Sequence, residues 1–144
     1  MLYVCSALLA AALLGLDQWL KHYVTVNIPL GEAQPLLPGV VELRTVHNYG
    51  AAWSSFSGMR WVLVAVTSLI VLAVAAVLLR RIVRQPLGVV SGALIISGGV
   101  GNIVDRVRLG YVVDMFNLEF IQLPVFNVAV CCFGVGAVLA VVFY

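Results

Sequence analysis

The stretch GGVGNIVDRVRLGYVVDMFNLEFIQLPVFNVA, Gly98 to Ala129, decides how this chain is read. It begins in the outer half of an apolar segment loosened by Gly98, Gly99 and Gly101. It leaves that segment through Asn102, Asp105 and Arg106, and crosses a short polar connection that carries Asp114. It then enters a last apolar segment past Pro124, Phe126 and Asn127. Ionisable and amide groups set so close to long apolar runs are costly unless they face one another or water. Their clustering at one end of two apolar segments therefore points to a shared polar site.

The apolar segments on either side set the fold class. A helix needs about 20 mostly apolar residues to cross the hydrocarbon core of a membrane. Four stretches qualify: residues 2–24, interrupted by Asp17, Gln18 and Lys21; residues 61–79, without charge; residues 86–104, rich in glycine; and residues 125–144, with Asn127 near the start. The whole chain of 144 residues is 63% hydrophobic and 10% charged, with a mean hydropathy of +1.12. A soluble domain is nearer 45–50% apolar and about 25% charged. The expectation is an α-helical integral membrane protein, one domain over residues 1–144, with four transmembrane helices. The glycines of the third span permit close helix contact, which suits a helix buried among the others. A net charge of +2, with no basic run, gives no support for a nucleic-acid partner. Cys5, Cys131 and Cys132 fall in apolar segments and read as small hydrophobes; no spacing suggests a metal site. His22 and His47 are isolated and read as polar anchors. The first segment lacks a basic leader and a small-residue cleavage site, so it is expected to remain as a membrane helix.

Orientation follows from the basic residues. Arg80, Arg81 and Arg84 crowd the short loop between the second and third spans, with no acid among them. Such loops stay cytoplasmic. Both termini are then cytoplasmic, and residues 25–60 and 105–124 face outward. All six acids belong to those connections or, for Asp17, to the outer half of the first span. In the first connection, Val40 to Val46 partly alternates apolar and polar side chains and predicts a short strand. Pro35, Pro38 and Gly39 punctuate the approach to it. Asn48-Tyr49-Gly50 reads as a turn, since Asn and Gly tolerate positive φ. Trp53, Phe56 and Trp61 are suited to anchor at the membrane interface. A small extracytoplasmic β-platform is expected.

Several residues are able to carry chemistry. Asp17 is an ionisable residue in an apolar span, and such residues face the bundle interior. Lys21 is four residues on, hence on the same helix face. Asn102 and Arg106 share a face if the third helix continues that far, with Asp105 beside them. Gly110-Tyr111-Val112-Val113-Asp114 has the pattern of a short strand delivering one carboxylate. Asn127, just inside the last span, needs a hydrogen-bond partner, and the outer polar cluster is the nearest source. Two classes fit this convergence of Asp17, Asn48, Asn102, Arg106, Asp114 and Asn127: a membrane-embedded hydrolase using carboxylates, and a small transporter with a polar intramembrane site. Neither paired broken helices nor inverted repeats support the transporter.

Five blocks, in this order, resemble the bacterial lipoprotein signal peptidases (signal peptidase II): Asp17-Gln18-Trp19-Leu20-Lys21, Asn48-Tyr49-Gly50-Ala51-Ala52-Trp53-Ser54, Gly101-Asn102-Ile103-Val104-Asp105-Arg106, Gly110-Tyr111-Val112-Val113-Asp114 and Phe126-Asn127-Val128-Ala129. The resemblance covers nearly the whole chain. It implies a membrane aspartyl endopeptidase that cuts diacylglyceryl-modified prolipoproteins just before the lipidated cysteine, without metal or cofactor. It implies Asp114 as one of two catalytic aspartates. Support or substrate binding would come from Asp17, Lys21, Asn48, Gly50, Asn102, Asp105, Arg106, Asn127 and Ala129. The expected partners are the precursor and membrane lipids, with the protein itself a monomer. The family's second catalytic aspartate follows the last block, and here that position holds Val130. Valine neither gives nor takes a proton. Asp105, Glu119 and Cys131 are weak substitutes: Asp105 already belongs to a motif, no spacing favours Glu119, and a thiol in an apolar helix resists ionisation. Three origins fit Val130: an inactivating substitution, a natural loss leaving a precursor-binding homologue, or a sequencing error in an otherwise active peptidase, since one A-to-T change turns an Asp codon into a Val codon.

Overall fold

The structure, a computed structural model, describes residues 1–143. Its helices are α1 (Leu2–Asn27), α2 (Arg60–Leu79), α3 (Pro86–Arg108) and α4 (Val128–Phe143). Its strands are β1 (Ala33–Leu37), β2 (Val41–Asn48) and β3 (Val112–Leu118). Among the described residues, α1, α2 and α3 are long and apolar enough to cross a membrane. α4 is apolar but shorter, with 16 residues. At 1.5 Å per residue it extends about 24 Å.

The ends of the helices follow from local chemistry. α1 stops at Ile28, which is extended (φ −121°, ψ 111°) because Pro29 follows it. α3 opens with Pro86, whose missing N–H costs nothing in a first turn. α4 starts at Val128, three residues later than the span 125–144 drawn from hydropathy. Phe126 is held extended instead: its N–H donates to Phe116 O (3.0 Å), and its carbonyl accepts from Phe116 N (2.8 Å). The apolar run thus includes a strand-like entry that hydropathy does not separate from the helix.

α3 is the centre of the bundle, with α1, α2 and α4 all packed on it. Its glycines allow this. A Cβ on Gly98 would collide with the Ala129 carbonyl and the Phe133 N–H of α4, and one on Gly101 would sit 2.8 Å from Asp17 Oδ2 of α1.

The sheet is antiparallel in the order β1-β2-β3, so the α1–α2 and α3–α4 connections build it together. The expected strand at 40–46 is β2. β1 was not expected, because Pro35 reads as a breaker. It sits on the sheet edge, where a missing N–H is tolerated. Val24 and Ile28 at the end of α1 form a core with Val113 and Met115 of β3. Thr45 of β2 donates its Oγ1–H between the Val24 carbonyl (2.9 Å) and the Ile28 carbonyl (2.8 Å). The platform is thereby fixed to the end of the first helix.

Candidate active site

β3 alternates. Val113 and Met115 point into the core with α1, so Val112 and Asp114 point the other way, into a cavity of about 350 Å³. Asn48, Asn102, Arg106 and Val130 also line that cavity. Asp114 is nearly buried, and each of its oxygens accepts from an amide: Oδ2 from Asn48 Nδ2 (3.1 Å), Oδ1 from Asn127 Nδ2 (2.7 Å). Burial pushes the Asp114 carboxyl up to about 6. The Asn48 bond, the Lys21 charge and the Asn127 bond pull it down, and the Asp105 charge adds a smaller push upward.

Asn127 joins three elements. Its Oδ1 accepts from Val130 N (2.7 Å), capping the first turn of α4. Its amide also reaches Asn102 Oδ1 (3.2 Å) and the Val113 carbonyl (3.2 Å). The partner that a buried amide requires is therefore Asp114 together with Asn102. Val130 is in that same first turn and is 44% exposed, on the cavity wall.

Behind the cavity lies a second polar cluster, fully enclosed between α1 and α3. Lys21 Nζ is 2.8 Å from Asp17 Oδ2 and 3.0 Å from Asp105 Oδ2, and it donates to Asn102 Oδ1 (3.1 Å). Asp17 Oδ1 accepts from Ala129 N (2.9 Å), a second cap on α4. Asp105 Oδ2 also accepts from Val113 N (3.0 Å), which fixes β3 beside α3. Asn102 Oδ1 thus takes hydrogen bonds from both clusters, from Lys21 on one side and Asn127 on the other.

Arg106 is on the Asn102 face, as its spacing predicts. It donates from Nη2 to the Gly50 carbonyl (3.0 Å). Gly50 N donates to Asn48 Oδ1 (2.9 Å), so Asn48-Tyr49-Gly50 does turn, but not through positive φ. Gly50 is required for space: a Cβ there would collide with the Ser55 carbonyl. The left-handed residues come just after it, at Trp53, Ser54 and Phe56.

Every site residue read from the sequence lies in one of the two clusters or on the loop beside them. Three contributors were missed. Gln18 Nε2 donates to Asp17 Oδ2 (3.3 Å), Asp105 Oδ1 (3.2 Å) and the Gly101 carbonyl (3.2 Å). Its position in an apolar span carried the same signal as Asp17. Arg60 opens α2 and donates to the Arg106 and Val107 carbonyls, closing the end of α3. Thr45 fixes the sheet, and its sequence carried no sign of that.

Comparison with known proteins gives the family and the fold. Residues 9–144 match the family model described as Signal peptidase (SPase) II. The chain belongs to the signal peptidase II family. It is 44% identical over 130 residues to the lipoprotein signal peptidase of Streptococcus thermophilus strain CNRZ 1066, covering 90% of this chain and 85% of that one. It is 45% identical over 123 residues to the lipoprotein signal peptidase of Lactococcus lactis subsp. lactis, covering 85% and 81%. A solved bacterial membrane enzyme superimposes with a TM-score of 0.92 at 26% identity, over 96% of this chain and 86% of that one. By family, then, this is a membrane protease of lipoprotein processing.

The acids considered as stand-ins for position 130 are engaged elsewhere. Asp105 spends its oxygens on Lys21, Gln18 and Val113. Glu119 lines an outer groove on the sheet, with Arg44 and Trp53. Among the described residues, Asp114 is the sole carboxylate on the cavity wall, and Cys131 is not part of that wall.

Proposed function

We propose that this chain carries the site of a prolipoprotein signal-peptide endopeptidase, with turnover suppressed by Val130. The substrate is a diacylglyceryl-modified prolipoprotein, cut just before the lipidated cysteine. The protein works as one unit over residues 1–144 and as a monomer. Four helices cross the cytoplasmic membrane with both termini inside. The sheet and cavity lie near the extracytoplasmic face, where the precursor's cleavage point emerges.

The observation that carries this reading is that Asp114 and Val130 line one cavity, with Asp114 its single acid. An aspartyl protease holds a water between two carboxyl groups sharing a proton. One takes a proton from the attacking water, and the other hydrogen-bonds the peptide carbonyl and stabilises its developing charge. Asn48 and Asn127 aim the Asp114 oxygens, and a carboxyl value near 6 suits proton exchange close to neutrality. Asp17, Lys21, Asn102, Asp105, Arg106, Gly50 and Ala129 hold α4, β3 and the turn around them. Valine at 130 leaves the water one acid short.

The test compares the chain with its Val130→Asp variant on a lipid-modified precursor, scoring signal-peptide release. Release by the variant alone is expected. Equal release by both would overturn the role given to position 130. Adding Asp114→Asn to the Val130→Asp variant should abolish release, and persistent cleavage would remove Asp114 from the chemistry. Val130 itself favours a second reading, a homologue that binds prolipoprotein or lipid without turnover. That reading predicts precursor binding by both chains and no release by either.

A further inference from the structure

A second cavity lies at the opposite end of the bundle. α1 and α2 both pack on α3, and between them a cavity of about 360 Å³ is lined by side chains that include Ala7, Ala10, Ala75, Leu78 and Ala93. Tyr3 closes its loop-side end, where its Oη–H donates to the Val83 carbonyl (2.7 Å). The Arg81 guanidinium lies 5.5 Å from the centre of the Tyr3 ring, so a fixed cation sits at the mouth of an apolar slot.

The backbone at Arg81 adds an independent observation. α2 ends in a Schellman motif: Ile82 N donates to Val77 O (3.1 Å), and Arg81 N to Leu78 O (3.0 Å). The residue after the cap must then be left-handed, and it is Arg81, with φ +52°. Glycine is the usual occupant of that position, since a side chain there is strained. Strain of this kind points to something gained from the side chain. Arg81 O also accepts from Arg84 Nε (3.3 Å), which draws a second cation to the same turn. Among the described residues no carboxylate is within ion-pair distance of Arg80, Arg81 or Arg84, and the six acids of the chain lie toward its other end.

We infer that this cleft is a binding site for one anionic phospholipid from the leaflet facing the α2–α3 loop. An acyl chain fills the slot between α1 and α2, and the phosphate meets Arg81, with Arg80 and Arg84 beside it. A cation above an apolar slot matches an anionic headgroup on an acyl chain, whereas a zwitterionic headgroup brings its own cation against Arg81. One basic residue near an anionic lipid surface is worth about a fivefold change in binding.

Native mass spectrometry of the purified protein tests this, with phosphatidylglycerol and phosphatidylcholine of identical acyl chains as competing probes. One retained phosphatidylglycerol is expected, preferred by about fivefold or more. Arg81→Gly is the decisive variant because it relieves the left-handed strain. Its melting temperature without added lipid should match or exceed that of the parent chain, while the preference for phosphatidylglycerol falls about fivefold. Ala10→Phe and, from the opposite wall, Ala75→Leu fill the slot and should reduce retention of both lipids. Equal retention of the two lipids by the parent chain would overturn the site. So would an unchanged preference in Arg81→Gly, or full retention in both slot-filling variants.

Discussion

Two carboxylate clusters lie back to back in this protein, joined through the amide oxygen of Asn102 and the backbone of Val113. In the enclosed one, Asp17 and Asp105 flank Lys21, and every oxygen is engaged by that cation, by Gln18 or by a backbone N–H. In the open one, Asp114 has two neutral amides and a cavity in front of it. The same side chain thus serves two ends. A carboxylate paired with a buried cation, its lone pairs spent, joins helices. A carboxylate short of a cation and facing space keeps a raised proton affinity and a free edge for a reactant. Val130 lines the cavity of the open cluster, where, on the proposed reading, a missing acid removes chemistry and leaves the fold intact.

The sharpest way to break the contrast is to restore the open cluster. Val130→Asp should raise precursor cleavage by about 10²–10⁴-fold, the usual worth of one positioned acid or base. Val130→Asn, similar in size but without a titrating proton, should give no gain in the same assay. Next comes the enclosed cluster. Lys21→Ala leaves two buried carboxylates without their cation and should cost about 3–5 kcal/mol of stability, read as a drop in melting temperature.

Third is pH. Asp114 has its carboxyl raised from 3.8 to about 6, so the folded chain binds an extra proton between those values. Its contribution to stability is fully present below about pH 3.8 and is lost as pH rises through about 6, on the order of 3 kcal/mol across the window. Carbon NMR of the Asp114 carboxyl should show its midpoint near 6. In Val130→Asp the curve should split into two steps belonging to the pair. A single unshifted midpoint in that variant would place the new carboxyl outside the pair's reach. The smallest effect is expected for Asn127→Ala, which removes a cap on α4 and should destabilise by about 1–2 kcal/mol, with the Asp17 cap still in place. Combined with Val130→Asp it should lower cleavage much more than stability, because it also frees Asp114 Oδ1.

Much of the site was legible because membrane insertion makes polar residues expensive. Asp17, Asn102, Asp105 and Asn127 stand out against apolar runs, and each is buried with partners or on the cavity wall. The pattern from Gly110 to Asp114 predicted a short strand delivering a carboxylate, and β3 is that strand. Legibility failed where two local patterns look alike. Val125 and Phe126 are as apolar as the helix they precede, so pairing with Phe116, not hydropathy, sets where α4 begins. Pro35 reads as a breaker, and only an edge position makes it a strand residue. Gly50 reads as a conformational choice, whereas the Ser55 carbonyl makes it a steric one.

Composition and periodicity by themselves determined that the chain is a membrane protein and where its long apolar helices run. The motif blocks, read against the family they resemble, imply that a valine stands where that family has an acid. These follow from local properties: the cost of polar groups in lipid, the 3.6 and 2.0 residue repeats, and the inability of valine to carry a proton. That Asp105 joins Asp17 on Lys21, which carboxylate is left facing the cavity, and that Val130 shares its wall were decided by tertiary structure alone. Residues 17, 105, 114 and 130 meet only when α3 packs against its neighbours, and a pairing between distant segments has no local signature.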